Sequence, residues 1–324
     1  MPRTLKPSAE LLTLLRRQDL VATTVQLMAG GYSRRAIDNR VQRGQWRRLL
    51  PGIVLTSASL PSRSQLLVAA WLWTDKKGAI DGLDACAGHG LHFDGRPSDR
   101  VHAVAPTDST ARSRGFVVVR RASAEIQVGA WGLVPFVDLA TGVLVAARGA
   151  DSVRSAIAIL SRALQSNRVT IASLTEARQR LGDKWCRRLD TALVAVGVGV
   201  RSPLENDNRK LLLTSRVLPE PIWNQWLDLG DGLPYVCPDA LWPDAGMVEE
   251  VLGRKYHAWG EQFEDTEARR ARMIAAGLVA QGATRSQIRE GGPLLSRLER
   301  TYQIHAGRGM PPGVRLVDPP AIAR

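Results

Sequence analysis

Glycine punctuation constrains the front of this chain more than any other feature. Gly30-Gly31, Gly44 and Pro51-Gly52 cut residues 10–55 into pieces long enough only for short helices and a hairpin. From Glu10 to Met28, Leu11, Leu12, Leu14, Leu15, Val21, Val25 and Leu27 recur at roughly helical spacing, which predicts one helix stopped by Gly30-Gly31. Ser33 suits the N-cap of a second helix, Arg34 to Arg43, in which Ile37 and Val41 stand four apart on one side. Arg34, Arg35, Asp38, Asn39 and Gln42 are left facing outward. QWRRLLPGIVLTS then reads as two short strands turned at Pro51-Gly52. Helix, glycine turn, polar-faced helix and hairpin is the order of a winged helix-turn-helix, predicted over residues 1–60.

That order carries a mechanism. The start of the second helix enters the major groove of duplex DNA, where Arg pairs with guanine and Asn or Gln with adenine. Arg34, Arg35, Asn39 and Gln42 are the candidate readers. Arg43, Arg47 and Arg48 flank the hairpin and are candidates for phosphate contacts, which position without reading. Such binding needs no cofactor. The same pattern also suits a small helical domain with a solvated arginine face.

Charge bears on the choice. The 324 residues carry 44 Lys+Arg against 31 Asp+Glu, a net charge of +13. Counted by segment, residues 1–60 hold 10 basic and 3 acidic side chains (+7), 61–200 hold 18 and 12 (+6), and 201–324 hold 16 and 16 (0). Attraction to a polyanion therefore belongs to the first two segments. A codon bias toward arginine explains why 38 of the 44 are Arg, but not why the excess is segregated. No run approaches the roughly 20 apolar residues of a spanning helix, and MPRTLKPSAE has no apolar core for a signal peptide. A cytoplasmic protein with no membrane partner is expected, held at the nucleoid through DNA; oligomeric state is left open. Cys86, Cys186 and Cys237 are far apart and odd in number, so buried thiols are expected rather than disulfides or a zinc cluster.

Residues 61–200 read as an α+β connector: short strands over 101–140, then two or three helices over 151–200, with apolar residues at three- and four-residue spacing in Ser152 to Leu164 and Leu174 to Val196. His89, His92 and His102 lack metal-ligand spacing and are expected to be structural or surface residues. Residues 201–308 read as a third domain, and 309–324 as a flexible tail. Glu205 opens a helix there. Tyr235 to Leu241 and Met247 to Leu252 are expected strands around a Pro243–Gly246 turn, which puts Asp239 and Glu250 on neighbouring arms. Two hairpin carboxylates and a third from a helix are a donor set for Mg²⁺-assisted phosphodiester hydrolysis. Glu205, Asp239, Glu250 and His257 are the candidate catalytic residues, and Asp239 and Glu250 the candidate metal ligands. Lys255 is an alternative to His257 for orienting water or neutralising charge. Acidic residues at strand ends are also common without any such role.

Two resemblances extend this reading. GGYSRRAIDNRVQRGQWRRLLPGIV (30–54), LLVAAWLW (66–73), DGLDACAGHGL (81–91), VHAVAP (101–106), FVVVRR (116–121) and GLVPFVDLA (132–140) together resemble the AbiEi-family antitoxin domain of actinobacteria over roughly residues 20–200. The resemblance implies a repressor-like antitoxin that binds its own promoter. RSPLE (202 being its Ser), DALWP (239–243) and VEEVLGRKYH (248–257) resemble a PD-(D/E)XK domain related to very-short-patch-repair endonucleases. That resemblance implies a restriction-endonuclease-like α/β domain in which Glu205, Asp239 and Glu250 occupy site positions and His257 is the trailing histidine. This chain departs from the pattern. Leu252 stands where the family has an acid, Pro238-Asp239-Ala240 replaces Val-Asp-Phe, and Thr266 replaces an Asp. An apolar side chain at 252 cannot ligate a metal, which argues against activity.

The expected fold class is thus multidomain α+β. Three functions remain open: a sequence-specific double-stranded DNA-binding repressor, a Mg²⁺-dependent endonuclease of restriction or defence type targeted by its winged helix, and an antitoxin that neutralises a cognate toxin protein.

Overall fold

The computed structural model describes residues 7–93, 99–122, 128–181, 187–230, 232–252 and 261–318. The fold is mixed α+β, with 13 helices and four sheets among the described residues. It divides into two compact units, residues 1–151 with 168–189, and residues 152–167 with 190–324.

The first unit opens with α1 (Ala9–Arg17), β1 (Val21–Thr23), α2 (Thr24–Ala29), α3 (Arg34–Gln42), β2 (Arg47–Leu50) and β3 (Ile53–Leu55). The single helix expected from Glu10 to Met28 is broken. Asp19 and Leu20 turn the chain with φ of 49° and 66°, and Val21–Thr23 pairs antiparallel with β3. Thr23 then restarts a helix through a reciprocal capping box with Gln26. The resulting sheet has the order β1-β3-β2, all antiparallel. Its two faces do different work. Ala22 and Val54 pack under Leu11, Leu15, Leu27 and Ile37 of the three helices. Full burial of side chains such as Leu27 and Ile37 stabilises by roughly 1.5–3 kcal/mol each. Val21, Leu50, Ile53 and Leu55 face the other way, into a second core.

The other side of that second core is built by α4 (Arg63–Trp73), β4 (Ala79–Asp81), α5 (Gly82–Gly88), β5 (Val101–Pro106), β6 (Val117–Ala122) and β8 (Val134–Val137), while β7 (Val128–Trp131) and α6 (Leu139–Arg148) flank β8 in the chain. The strands form a five-stranded sheet, β6-β5-β4-β8-β7, in which β4–β8 and β5–β6 are parallel. Residues 1–60 therefore share a core with α4 and the five-stranded sheet rather than standing apart. Asp81, at the end of β4, is buried, caps Gly82 at 2.8 Å and accepts Arg120 at 2.6 Å. Burial pushes its carboxyl up, opposed by Arg120. Burial also lowers His102, opposed by Asp81, and raises the Cys86 thiol to about 12.

The chain next contributes α7 (Val153–Gln165) to the second unit, returns to the first as α8 (Ile171–Arg180), and leaves it through α9 (Arg187–Gly197). The boundary expected at 201 thus falls inside the second unit. The two or three helices expected over 151–200 are α7, α8 and α9, with 182–186 outside the described residues.

The second unit continues with α10 (Pro203–Leu212), β9 (Ile222–Trp223), β10 (Trp226–Asp228), β11 (Ala240–Trp242), β12 (Met247–Leu252), α11 (Glu261–Ala275), β13 (Val279–Thr284), α12 (Arg285–Glu290), α13 (Gly292–His305) and β14 (Arg315–Val317). Its four-stranded sheet runs β13-β12-β11-β9, parallel between β12 and β13 and antiparallel elsewhere. One face packs Trp242, Met247 and Ala283 against Leu204, Leu212, Ile288, Leu294 and Leu298 from three helices. The other packs Leu241, Val248 and Ala280 against Met273 of α11. Residues 315–317, expected within a flexible tail, form β14 on β10, and Val314 is buried. Among the described residues no helix is long and apolar enough to cross a membrane.

Candidate nucleic-acid interface and acidic cluster

Helix α3 starts where Ser33 Oγ accepts the Ala36 N–H at 3.2 Å, and its single buried side chain, Ile37, anchors it to the sheet. Anchoring by one face leaves the rest outside. All seven residues singled out as DNA contacts are at least partly exposed: Arg34, Arg35, Asn39, Gln42, Arg43, Arg47 and Arg48. The side chains of Arg34, Arg35 and Arg43 have no hydrogen-bond or ion-pair partner among the described residues. Arg48 reaches back from β2 to Asp38 on α3 at 2.7 Å, and Arg47 Nε donates to the Ala58 carbonyl at 2.8 Å. Helix and hairpin are thereby tied, and a pair this exposed contributes only about 0–1 kcal/mol.

Arg40, outside the expected contacts, has a different task. Its guanidinium carbon lies 4.9 Å from the Tyr32 ring centroid and 5.2 Å from that of Trp46, the two rings meeting edge to face at 5.2 Å. Tyr32 precedes α3 and Trp46 succeeds it, so this cation–π clamp fixes both ends of the helix. Aromatic residues bracketing an arginine-bearing helix are the signal for it in the sequence.

In the second unit, the register that pairs Ala240 with Glu249 puts Asp239 opposite Glu250 at the next position. Val251 N–H donates to Asp239 Oδ2 at 2.6 Å. Glu205, in the first turn of α10, is 6% exposed and accepts Arg201 N–H at 2.8 Å and Asn224 Nδ2 at 3.0 Å. Glu250 is 2% exposed; Oε2 accepts Arg269 of α11 at 2.5 Å, while Oε1 is buried with no partner among the described residues. Part of Asp239 is accessible, but burial of its carboxyl comes first in raising it well above the usual range, with the like charges of Glu205 and Glu250 adding to the shift. Burial also raises Glu250, against the pull of Arg269. The three carboxylates are therefore electrostatic neighbours.

These residues fit a divalent ion poorly. Among the described residues, no three His, Cys, Asp or Glu side chains are placed to hold a metal ion. Leu252, where an acid would complete the set, packs over Gly282 of β13, and the cation that does reach Glu250 is Arg269. His257, Lys255 and Arg254 lie outside the described residues. Arg269, Arg270 and Arg272 of α11 are each half-buried, with the Nε of each buried.

Glu249, the neighbour of Glu250, points to the opposite sheet face. It is fully buried and accepts Asn208 Nδ2 of α10 at 2.7 Å, and burial pushes its carboxyl up to about 7. In the sequence only the strand's parity separates it from Glu250, so motif spacing alone does not single it out.

No protein-family profile matches the chain, and no curated protein matches it. Among solved structures, the RV2827C protein from Mycobacterium tuberculosis is similar with a TM-score of 0.40 and 17% identity, over 68% of this chain and 87% of that one.

Proposed function

We propose that this chain is a sequence-specific double-stranded DNA-binding regulator of the repressor or antitoxin kind, whose first 60 residues are a winged helix-turn-helix. The observation that carries the reading is the first turn and outer face of α3, where Arg34, Arg35 and Asn39 are accessible and both arginines lack a side-chain partner among the described residues. An uncompensated guanidinium pair at a helix start is suited to guanine O6 and N7, and Asn39 to adenine. Arg43, Arg47 and Arg48 then hold phosphates, with β2–β3 as the wing. The element order, with sheet order β1-β3-β2, supports this assignment. On this reading the protein works at the nucleoid and needs no cofactor. A cognate toxin is a second partner, for which a toxin-encoding neighbouring gene is the first thing to look for. The test is selection of duplexes from a random library by the full chain. A shared short motif containing guanine and adenine steps is expected; recovery of unrelated sequences would overturn the reading.

A second reading has its own observation. Glu250 Oε1, buried without a partner among the described residues, lies in an acidic cluster with Asp239 and Glu205 that Arg269 neutralises only in part, in a domain that we read as PD-(D/E)XK-like. That is the Mg²⁺-dependent endonuclease alternative. Incubation of the protein with duplex DNA and Mg²⁺ or Mn²⁺ tests it: cleavage abolished by Asp239→Ala would favour it, and intact DNA leaves the regulator reading in front.

A further inference from the structure

Residues 61–200 carry a surplus of +6 that the winged-helix reading leaves without a role. Several arginines of this region are neutralised internally: Arg63 by Asp84, Arg120 by Asp81, Arg180 by Asp138. The β5–β6 loop, residues 107–116, is different. Arg112 and Arg114 are exposed there and have no side-chain partner among the described residues, and Asp108 is the loop's one acid. The loop is nevertheless firmly held. Trp73 Nε1 donates to the Arg112 carbonyl at 2.7 Å, and Arg121 donates to the carbonyls of Ala111 and Pro106. Val119 N–H donates to Ser113 Oγ at 2.9 Å, and Arg114 and Val117 exchange backbone hydrogen bonds at 2.9 and 3.0 Å. Its position is the decisive point. A Cβ on Gly115 would lie 3.5 Å from the side chain of Leu50, at the end of β2, so the loop abuts the hairpin that bears Arg47 and Arg48.

We infer that the DNA-binding surface continues past the hairpin onto this loop, where Arg112 and Arg114 hold phosphates of the duplex flanking the recognised site. The inference rests on the winged-helix reading and adds a second, sequence-independent contact region to it. A loop pinned through its backbone presents two guanidinium groups with little ordering left to be done on binding. Each phosphate neutralised releases counterions, so the contacts appear in the salt dependence of affinity rather than in sequence preference.

The experiment uses the full chain and a selected duplex with about ten flanking base pairs on each side, one turn of B-DNA. Kd is followed by fluorescence anisotropy across a salt series. For Arg112→Ala/Arg114→Ala, the slope of log affinity against log salt should fall by about 1.8 for two lost phosphate contacts. Preference for the selected over a scrambled duplex should persist. Arg112→Lys/Arg114→Lys should restore the slope, and trimming the flank on one side should abolish the difference between wild type and the Ala variant. An unchanged slope in the Ala variant, or a loss of sequence preference with it, overturns the inference while leaving the winged-helix reading standing. If wild type prefers no sequence at all, the reading beneath it has failed.

Discussion

One proton accounts for the local chemistry of Glu249 and Asn208. Both sit in the core of the second unit, and Glu249 Oε1 and Asn208 Oδ1 are both buried acceptors without a partner among the described residues. Two such acceptors left bare cost about 1–3 kcal/mol each. A proton on Glu249 Oε1 would donate to Asn208 Oδ1, while Asn208 Nδ2 continues to donate to Oε2, closing a ring that satisfies both. Burial raising the carboxyl to about 7 from an ordinary 4.5 agrees with this. Between about pH 4.5 and pH 7 the folded chain holds a proton that the unfolded chain has lost, so stability falls as pH rises through that window and levels off above it. The change amounts to about 3.5 kcal/mol at most, at about 1.4 kcal/mol per unit. Asp239 and Glu250 are raised as well and act in the same direction. Glu249→Gln keeps both bonds with its amide, so denaturant unfolding at pH 5 and pH 7.5 should show a smaller stability difference in this variant than in wild type. Equal differences would mean that Glu249 is ionised in the fold.

Among the elements, α3 and its hairpin are legible because glycine, serine and arginine place them: Ser33 caps, Ile37 anchors, Pro51-Gly52 turns. The stretch before them is misleading. Val21 is buried in a strand, yet it stands seven residues after Leu14, a spacing that also suits a helix, and periodicity alone joins the two. Thr23-x-x-Gln26 is the local signal that a new helix starts, since that pair forms a capping box. Gly30 reads in the sequence only as a stop, whereas the structure gives it a steric reason. A Cβ there would lie 2.6 Å from Leu11 Cβ and 2.8 Å from Leu11 Cγ, so α1 and the turn after α2 meet with no room between them. Gly30→Ala should cost about 1–3 kcal/mol by overpacking. Urea unfolding should show that loss, with DNA binding weakened in parallel as the support of α3 loosens. An unchanged midpoint would show that α1 moves aside at little cost.

At the scale of the whole molecule, domain boundaries are the least legible feature of the sequence. The chain visits the second unit through α7 and returns before leaving the first, a path that no local pattern encodes because only tertiary contacts distinguish it. The C-terminal residues mislead for a related reason. Pro311, Pro312 and Gly313 look like a linker, but Arg315–Val317 completes β10, and Gln225 Nε2 donates to the Val317 carbonyl at 2.8 Å. Truncation after residue 308 should therefore lower the melting temperature of the second unit, where a tail outside the fold would be silent. The carboxylates Glu205, Asp239 and Glu250 are visible in the sequence, while Arg269 as partner of Glu250 is not, since it lies across a segment whose length hides the pairing.

On the proposed reading, the exposed start of α3 reads DNA. The most direct test is equilibrium binding of the full chain and of Arg34→Ala/Arg35→Ala/Asn39→Ala to a selected duplex and to a scrambled one. Wild type should prefer the selected duplex by about 10³-fold or more. The variant, its circular dichroism unchanged, should bind both duplexes alike, each lost base contact removing about 1–3 kcal/mol of discrimination. A folded variant that keeps the wild-type preference would contradict the account.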